Sequence, residues 1–350
     1  MADIAREANV NRITVSRALS RPDLVAEGTL KRIQEAIAKT GYIPNQVARG
    51  MKSEHSRIVS LITPPQMAGV YGAILERFAS ALYESGLIVN LFPVLEIEEQ
   101  RETVLQEATG WRPAAVVLFG IQLSDESQAA LLNAHTRVVE LMNYREEGPG
   151  TCVGYDQREA AMALTDHLQD RGYGTICYVH SANPSNTMNA LRLSGFAGAV
   201  EGRGGVLFLR QAGDKDRLGA ARAAMAAKVD RFGAEIMAMP NFQAGYDLMA
   251  ELSRDRIMPR ALLFASDMVA VGALQYCLSH GVDVPGTVAL CAFDGTELTS
   301  LVRPRLTSLD LPYERVAQQG AEQIVRHVKD RTAVPQRLKI PARVLQRDST

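Results

Sequence analysis

MADIAREANVNRITVSRALS, residues 1–20, decides how the rest of the chain is read. Ile4, Ala5 and Ala8 share one helical face, and after a break Val15, Ala18 and Leu19 repeat the i, i+3, i+4 spacing, so the stretch predicts two short amphipathic helices. Between them Asn9 tolerates the left-handed conformation, Val10 supplies an apolar plug, and Asn11 is suited to cap the second helix. Two helices joined by a sharp turn make a helix-turn-helix pattern, with Ala5 small enough to let them approach closely. In such a pattern Arg12, Ile13, Thr14, Ser16 and Arg17 occupy the exposed amino-terminal face of the second helix, the face that meets base edges and phosphates in a major groove. Taken alone, these twenty residues also fit a simple helical hairpin.

The pattern continues outward. Residues 27–40 carry Leu30, Ile33 and Ile37 on one face and end at Gly41, which predicts a third helix closing a headpiece. Pro44 sets an extended approach, and Asn45 caps a segment through Met51 that is too short to be helical unaided. Residues 52–57 read as a charged linker. Residues 1–52 hold nine Lys/Arg against five Asp/Glu, so a piece of charge +4 precedes a remainder of −5 in a chain of net charge −1. The basic piece is the one suited to phosphate. At 350 residues, 47% hydrophobic and 22% charged, the composition is that of a globular protein of two or three domains. The four cysteines have neither metal nor redox spacing and read as buried thiols in a reducing cytoplasm. With no signal peptide before the motif and no apolar run near the roughly 18 residues of a membrane span, no membrane association is expected.

From Ile58 the grammar changes to short apolar runs alternating with helical stretches. IVSLIT, LIVNLFP, AAVVLFG and RVVELM are separated by helices expected near 70–85, 97–109 and 125–134. After Asp156 come helices near 157–171, 187–201, 217–230, 242–254 and 267–280, separated by TICYVH, GVLFLR, AEIMAM, ALLFAS and VALCAF, with a long helix near 312–330 and a strand near 337–346 to end the chain. Strands alternating with helices imply parallel sheets, and their number implies two α/β lobes with a ligand cleft beyond the strands' carboxyl ends.

The headpiece DIAREANVNRITVSRALS with GYIPN and NQVARGM, and the later GYDQ, SDMVAVGAL, AFDG and RPRLTSLDLPYERVAQQGAE, resemble the lactose-repressor (LacI/GalR) family of bacterial transcription regulators over nearly the whole chain. VVELMN, GYDQREA and RPRLTSLDLPYERV are most similar to its gluconate-utilisation repressors. The resemblance implies an all-α helix-turn-helix headpiece (1–44), a hinge helix and linker (45–57), and a periplasmic-binding-protein-like effector domain (58–350). Its lobes are expected at about 58–156 with 312–333, and at about 157–311 with 334–350. By resemblance Arg12, Ile13 and Arg17 read bases, Asn11, Thr14, Ser16 and Asn45 hold phosphates, and Ala48 and Met51 belong to the hinge, Met51 standing where the family usually wedges a Leu into the minor groove. Tyr71, Asn143, Asp156, Arg192, Ser266 and Asp294 are implied around a small effector, with Arg192 pairing bidentately with a carboxylate and an Asp accepting from hydroxyls.

The implied protein is a cytoplasmic homodimer that binds a pseudo-palindromic double-stranded DNA operator and responds to a sugar or sugar acid, with no cofactor, no metal and no catalytic role. A sugar-binding protein without regulatory function stays open as the alternative. The chain lacks GxSxG, P-loop, HExxH and dinucleotide fingerprints, and its six histidines form no pair at ligand spacing. Asp156 and Asp267 equally suit helix caps. Ser266 stands where the family usually has Asn, and Met1 and Ala26 stand where the first and third helices usually have a capping side chain, so either the headpiece is less stable by about 1 kcal/mol per missing cap or the true start lies a few residues upstream.

Overall fold

The computed structural model describes residues 1–42, 56–64, 69–94, 98–121, 123, 127, 129, 131–132, 136–148, 150–181, 187–201, 209–210, 232–236, 241–256, 258–330 and 332–350. The chain divides into two compact units, Met1–Ser56 and Arg57–Thr350.

In the first unit the expected helices form as α1 (Ala2–Glu7), α2 (Arg12–Ser20) and α3 (Glu27–Thr40), with an unforeseen 3-10 turn at Pro22–Leu24. Ile4, Ala5, Ala8, Val15, Ala18, Ile33 and Ala36 close a small apolar core, and half-buried Val10 packs against it as the plug of the turn. Asn9 adopts φ 51°, the left-handed turn its short polar side chain tolerates, and Gly41 ends α3 in the same region at φ 62°. Neither Met1 nor Ala26 offers a side-chain cap.

The second unit contains two parallel sheets. In the first lobe β1 (Ile58–Thr63), β2 (Ile88–Pro93), β3 (Ala115–Phe119), β4 (Val138–Asn143) and β5 (Thr151–Tyr155) alternate with α4 (Val70–Glu84) and α5 (Glu98–Gly110). Strands β3, β4 and β5 are buried along their whole length, as parallel strands covered on both faces must be, which is why AVVLF reads as a continuous apolar run and VVELMN as one broken only by Glu140, paired with Arg145, and by Asn143. In the second lobe α6 (Gln157–Asp170), β6 (Ile176–Ser181), α7 (Thr187–Val200), β7 (Leu209–Arg210), β8 (Phe232–Ile236), α8 (Phe242–Arg254), β9 (Ala261–Phe264), α9 (Asp267–His280) and β10 (Ala289–Cys291) follow, giving a parallel sheet of order β10-β9-β6-β8-β7. The chain then runs through α10 (Leu298–Leu301) and β11 (Ser308–Asp310) into α11 (Tyr313–Lys329), which packs on α4 of the first lobe. The expected helix near 217–230 and most of that near 125–134 lie outside the described residues.

One expectation is corrected. The single strand near 337–346, assigned with the second lobe, is two strands: β12 (Arg337–Lys339) extends the first lobe's sheet in the order β12-β5-β4-β3-β1-β2, and β13 (Arg343–Leu345) pairs antiparallel with β11. Pro341 lies between them and has no N–H to donate to a ladder, so the strand changes partner there. Together with the passages β5–α6 and β11–α11, the chain crosses between the lobes three times.

Candidate functional site

In the headpiece Asn11 Oδ1 accepts from the Thr14 N–H at 2.7 Å and from the Thr14 hydroxyl at 2.8 Å, so the cap read from the sequence is in place. The same carboxamide oxygen thus engages both the backbone and the hydroxyl proton of Thr14. Arg12, Ile13, Ser16 and Arg17 line one concave face, joined by Met1, Arg21 and Leu24. Ile13 stands 68% exposed on a nine-residue helix, an apolar side chain in water beside three arginines. Arg21 and Leu24 were not singled out in the sequence; the turn begun by Pro22 brings them round to this face, and an exposed Leu in a Pro-Asp-Leu turn was the available signal. Asn45, Ala48 and Met51 lie outside the described residues.

The second unit contains a cleft of about 710 Å³, lined from both lobes. Of the expected effector residues, Tyr71, Arg192, Ser266 and Asp294 line it. Tyr71, in the first turn of α4, sets its ring edge-on to Phe119 at 5.5 Å. It can do so because position 120 is glycine: a Cβ there would come within 2.6 Å of the Tyr71 ring. Burial raises the Tyr71 hydroxyl pKa, keeping it a neutral donor. Ser266 and Asp294 follow β9 and β10, at the carboxyl ends where open parallel sheets carry their ligands.

Arg192 projects from α7 and is 4% exposed. Its Nε donates to Gln157 Oε1 at 2.7 Å, Nη1 to the Ala265 carbonyl at 2.7 Å and to Asp294 Oδ1 at 3.5 Å, and Nη2 to the Tyr155 hydroxyl at 3.3 Å. The Phe293 ring lies 3.7 Å from the guanidinium carbon. Burial disfavours its charge, but the Tyr155 and Asp294 oxygens more than offset this and raise its pKa. Four of its five N–H groups are thus engaged inside the protein, two of them at 3.3 and 3.5 Å.

Behind the cleft lies a carboxylate pair. Asp267 accepts from the Asp294 N–H at 3.0 Å, the Thr296 N–H at 2.7 Å and the Thr296 hydroxyl at 2.8 Å, holding the loop that carries Asp294. Burial, then the Asp294 carboxylate, push Asp267 up to about 7, against those hydrogen bonds. Burial also raises Asp294, opposed by Arg192. Asp267 caps no helix; that role falls to Asp156, whose carboxylate accepts from the N–H groups of Arg158 and Glu159 at 2.9 and 3.1 Å at the start of α6. Asp156 and Asn143, both expected near the effector, are not among the cleft-lining residues. Asn143 ends β4, 6% exposed, its carbonyl accepting from Cys152 Sγ at 2.9 Å. Gln157 went unnoticed, although it bridges Arg192 to the Met142 carbonyl. Among the described residues no three His, Cys, Asp or Glu side chains converge as a metal site, and no helix is long and apolar enough to cross a membrane.

Two family descriptions match the chain: bacterial regulatory proteins of the lacI family over residues 1–45, and a periplasmic binding protein-like domain over residues 165–350. The HTH-type transcriptional regulator GntR of Pseudomonas aeruginosa is 26% identical over 99% of this chain and 94% of its own length. Among solved structures, a Lacl family transcriptional regulator from Silicibacter pomeroyi superposes with a TM-score of 0.83 at 23% identity, covering 99% of this chain and 98% of that one. The lac repressor dimer bound to operator and the anti-inducer ONPF superposes with a TM-score of 0.76 at 19% identity, covering 99% and 97%. At these identities the two structures speak for the fold.

Proposed function

The chain belongs to the lacI family of bacterial regulatory proteins, and from that premise we propose that it is a ligand-responsive repressor that binds a pseudo-palindromic operator as a homodimer and responds to a sugar or sugar acid. Its relatives are DNA-binding transcriptional regulators rather than enzymes, and DNA-binding regulation is the function of this chain. The observation that carries the reading is α2: an Asn-capped helix that turns Arg12, Ile13, Ser16 and Arg17 together into solvent. Arg12 and Arg17 suit guanine edges, where the guanidinium fork reaches O6 and N7 together, and Ile13 suits a thymine methyl. Asn11 and Ser16 suit phosphates. Asn45, Ala48 and Met51 are proposed as the hinge that enters the minor groove. Tyr71, Arg192, Ser266 and Asp294 are proposed as the effector-binding set.

A dimer supports this reading because two headpieces on one two-fold axis require a site of matching symmetry, and the lac repressor is a dimer on its operator. The site of action is then the cytoplasm, where the DNA is. Selection of duplexes from a random pool by the full chain tests the proposal. The expected result is enrichment of an inverted repeat, bound with a steep negative dependence on salt. Recovery of no common sequence would overturn it.

A further inference from the structure

The cleft's own chemistry narrows its ligand, and this step rests on the cleft being the effector site. We propose that the effector is an uncharged polyol or sugar, and that the cleft discriminates against the carboxylate of a sugar acid, contrary to what the resemblance to gluconate-utilisation repressors implies.

Three observations carry this. The first is the state of the buried cation. Arg192 gives four of its five N–H groups to Gln157, Ala265, Asp294 and Tyr155, and one face of its guanidinium is covered by Phe293. A ligand carboxylate gripped by both ends of the fork would have to displace Asp294 from it, exchanging one buried anion for another.

The second is the sign of the lining. Glu76, Glu297 and Glu314 stand with Asp294 around the cleft, against Arg77 and Arg192. Arg77 is already paired with Glu314 at 2.9 Å, as Arg192 is with Asp294. Every arginine among the described lining residues thus has an acidic partner, and Glu76 and Glu297 add further negative charge. His180, stacked on Tyr178, also lines the cleft.

The third is the balance of donors and acceptors. Asp294, Glu297, Glu76, Ser266 and the Asn189 carbonyl offer acceptors, whereas unspent charged donors are scarce. A polyol brings a donor on every hydroxyl and answers such a lining. A carboxylate brings acceptors alone at that end, and like charges facing one another repel.

Matched ligands isolate the one group at issue. Glucitol and gluconate share a six-carbon polyhydroxyl chain and differ at the carboxylate, as do galactitol and galactonate, and the corresponding aldoses complete the panel. The full chain is titrated calorimetrically with each, in 0.15 M salt at pH 7.5. The expected result is that, in any series that binds, the alditol or aldose binds at least tenfold tighter than the aldonate. The double variant Glu76→Gln/Glu297→Gln removes negative charge from the lining and should narrow the ratio of neutral-ligand to aldonate affinity severalfold, whatever it does to the neutral ligand alone. An aldonate that binds as tightly as its neutral partner, or more tightly, would overturn the proposal, whichever side chain holds it. If no member of any series binds, the reading of the cleft as a sugar-effector site fails, and this inference fails with it. That outcome differs from preferential aldonate binding, which would leave the effector reading intact and reverse only its charge preference.

Discussion

Side chains a few bonds from the backbone decide both ends of this protein. Arg17 lies one helical turn beyond Ile13 on the face that Asn11 fixes, and the proposed base contact makes a quantitative demand. Arg17→Ala should cost about 1–3 kcal/mol on the selected operator and much less on random duplex, measured by fluorescence anisotropy at one salt concentration. Equal weakening on both would reduce Arg17 to a phosphate contact. In the cleft, Asp267 carries a testable pH dependence. Burial and Asp294 raise its pKa from 3.8 to about 7, so between those values the folded chain holds a proton that the unfolded chain has released. Its contribution to stability is thus fully present below pH 3.8 and is lost as pH rises through 7. Thermal unfolding of the wild type should fall more steeply between pH 5 and pH 8 than that of Asp267→Asn, which lowers stability at both ends through its poorer match to the Asp294 and Thr296 donors. Parallel pH profiles would show that Asp267 does not titrate in this range. Of these residues, Asn11 was legible in the sequence because a cap acts three residues away. Asp267 was not, because its partners sit 27 and 29 residues further along and meet it only through the fold.

Elements were legible where a period of two or 3.6 residues is imposed by a single packing surface. Helices α1–α3 and the fully buried strands β3 and β4 meet that condition, and their ranges follow the apolar pattern closely. The segment 337–346 does not. Its two halves pair with different sheets in different senses, and no local pattern records which neighbour a strand will find. Asp156 shows the same limit at the boundary of α6: an Asp before a helix suits both a ligand contact and a cap, and its Oδ1 serves here as the cap, accepting two N–H groups. The absent caps of the headpiece are a deficit that a single residue can repair. Ala26 already has the extended N-cap geometry, φ −55° and ψ 137°, and lacks only an acceptor. Ala26→Ser should stabilise the headpiece by about 1 kcal/mol, read as a higher melting temperature of the headpiece transition. An unchanged melting temperature would mean that the α3 terminus is satisfied by water.

At the scale of the whole molecule, the account requires that a ligand in the cleft of Arg57–Thr350 alter what Met1–Ser56 does to DNA. The cleft is built for this, since Tyr71 and Tyr313 approach from the first lobe and Arg192, Ser266 and Asp294 from the second, so that a ligand touching both favours one relative placement of the lobes. Three chain crossings between the lobes leave room for such a change, and the short segment 45–51, which cannot be helical unaided, is the proposed element through which it reaches the operator. Linkage makes the claim reciprocal: whatever factor the ligand applies to operator affinity, the operator must apply to ligand affinity. The direct test is a pair of titrations on the full-length chain, operator binding with and without saturating neutral polyol, and polyol binding with and without saturating operator. The account predicts the same factor in both, between about 5 and 150, corresponding to a coupling of about 1–3 kcal/mol. A polyol that binds the cleft while the two operator isotherms superimpose would contradict it.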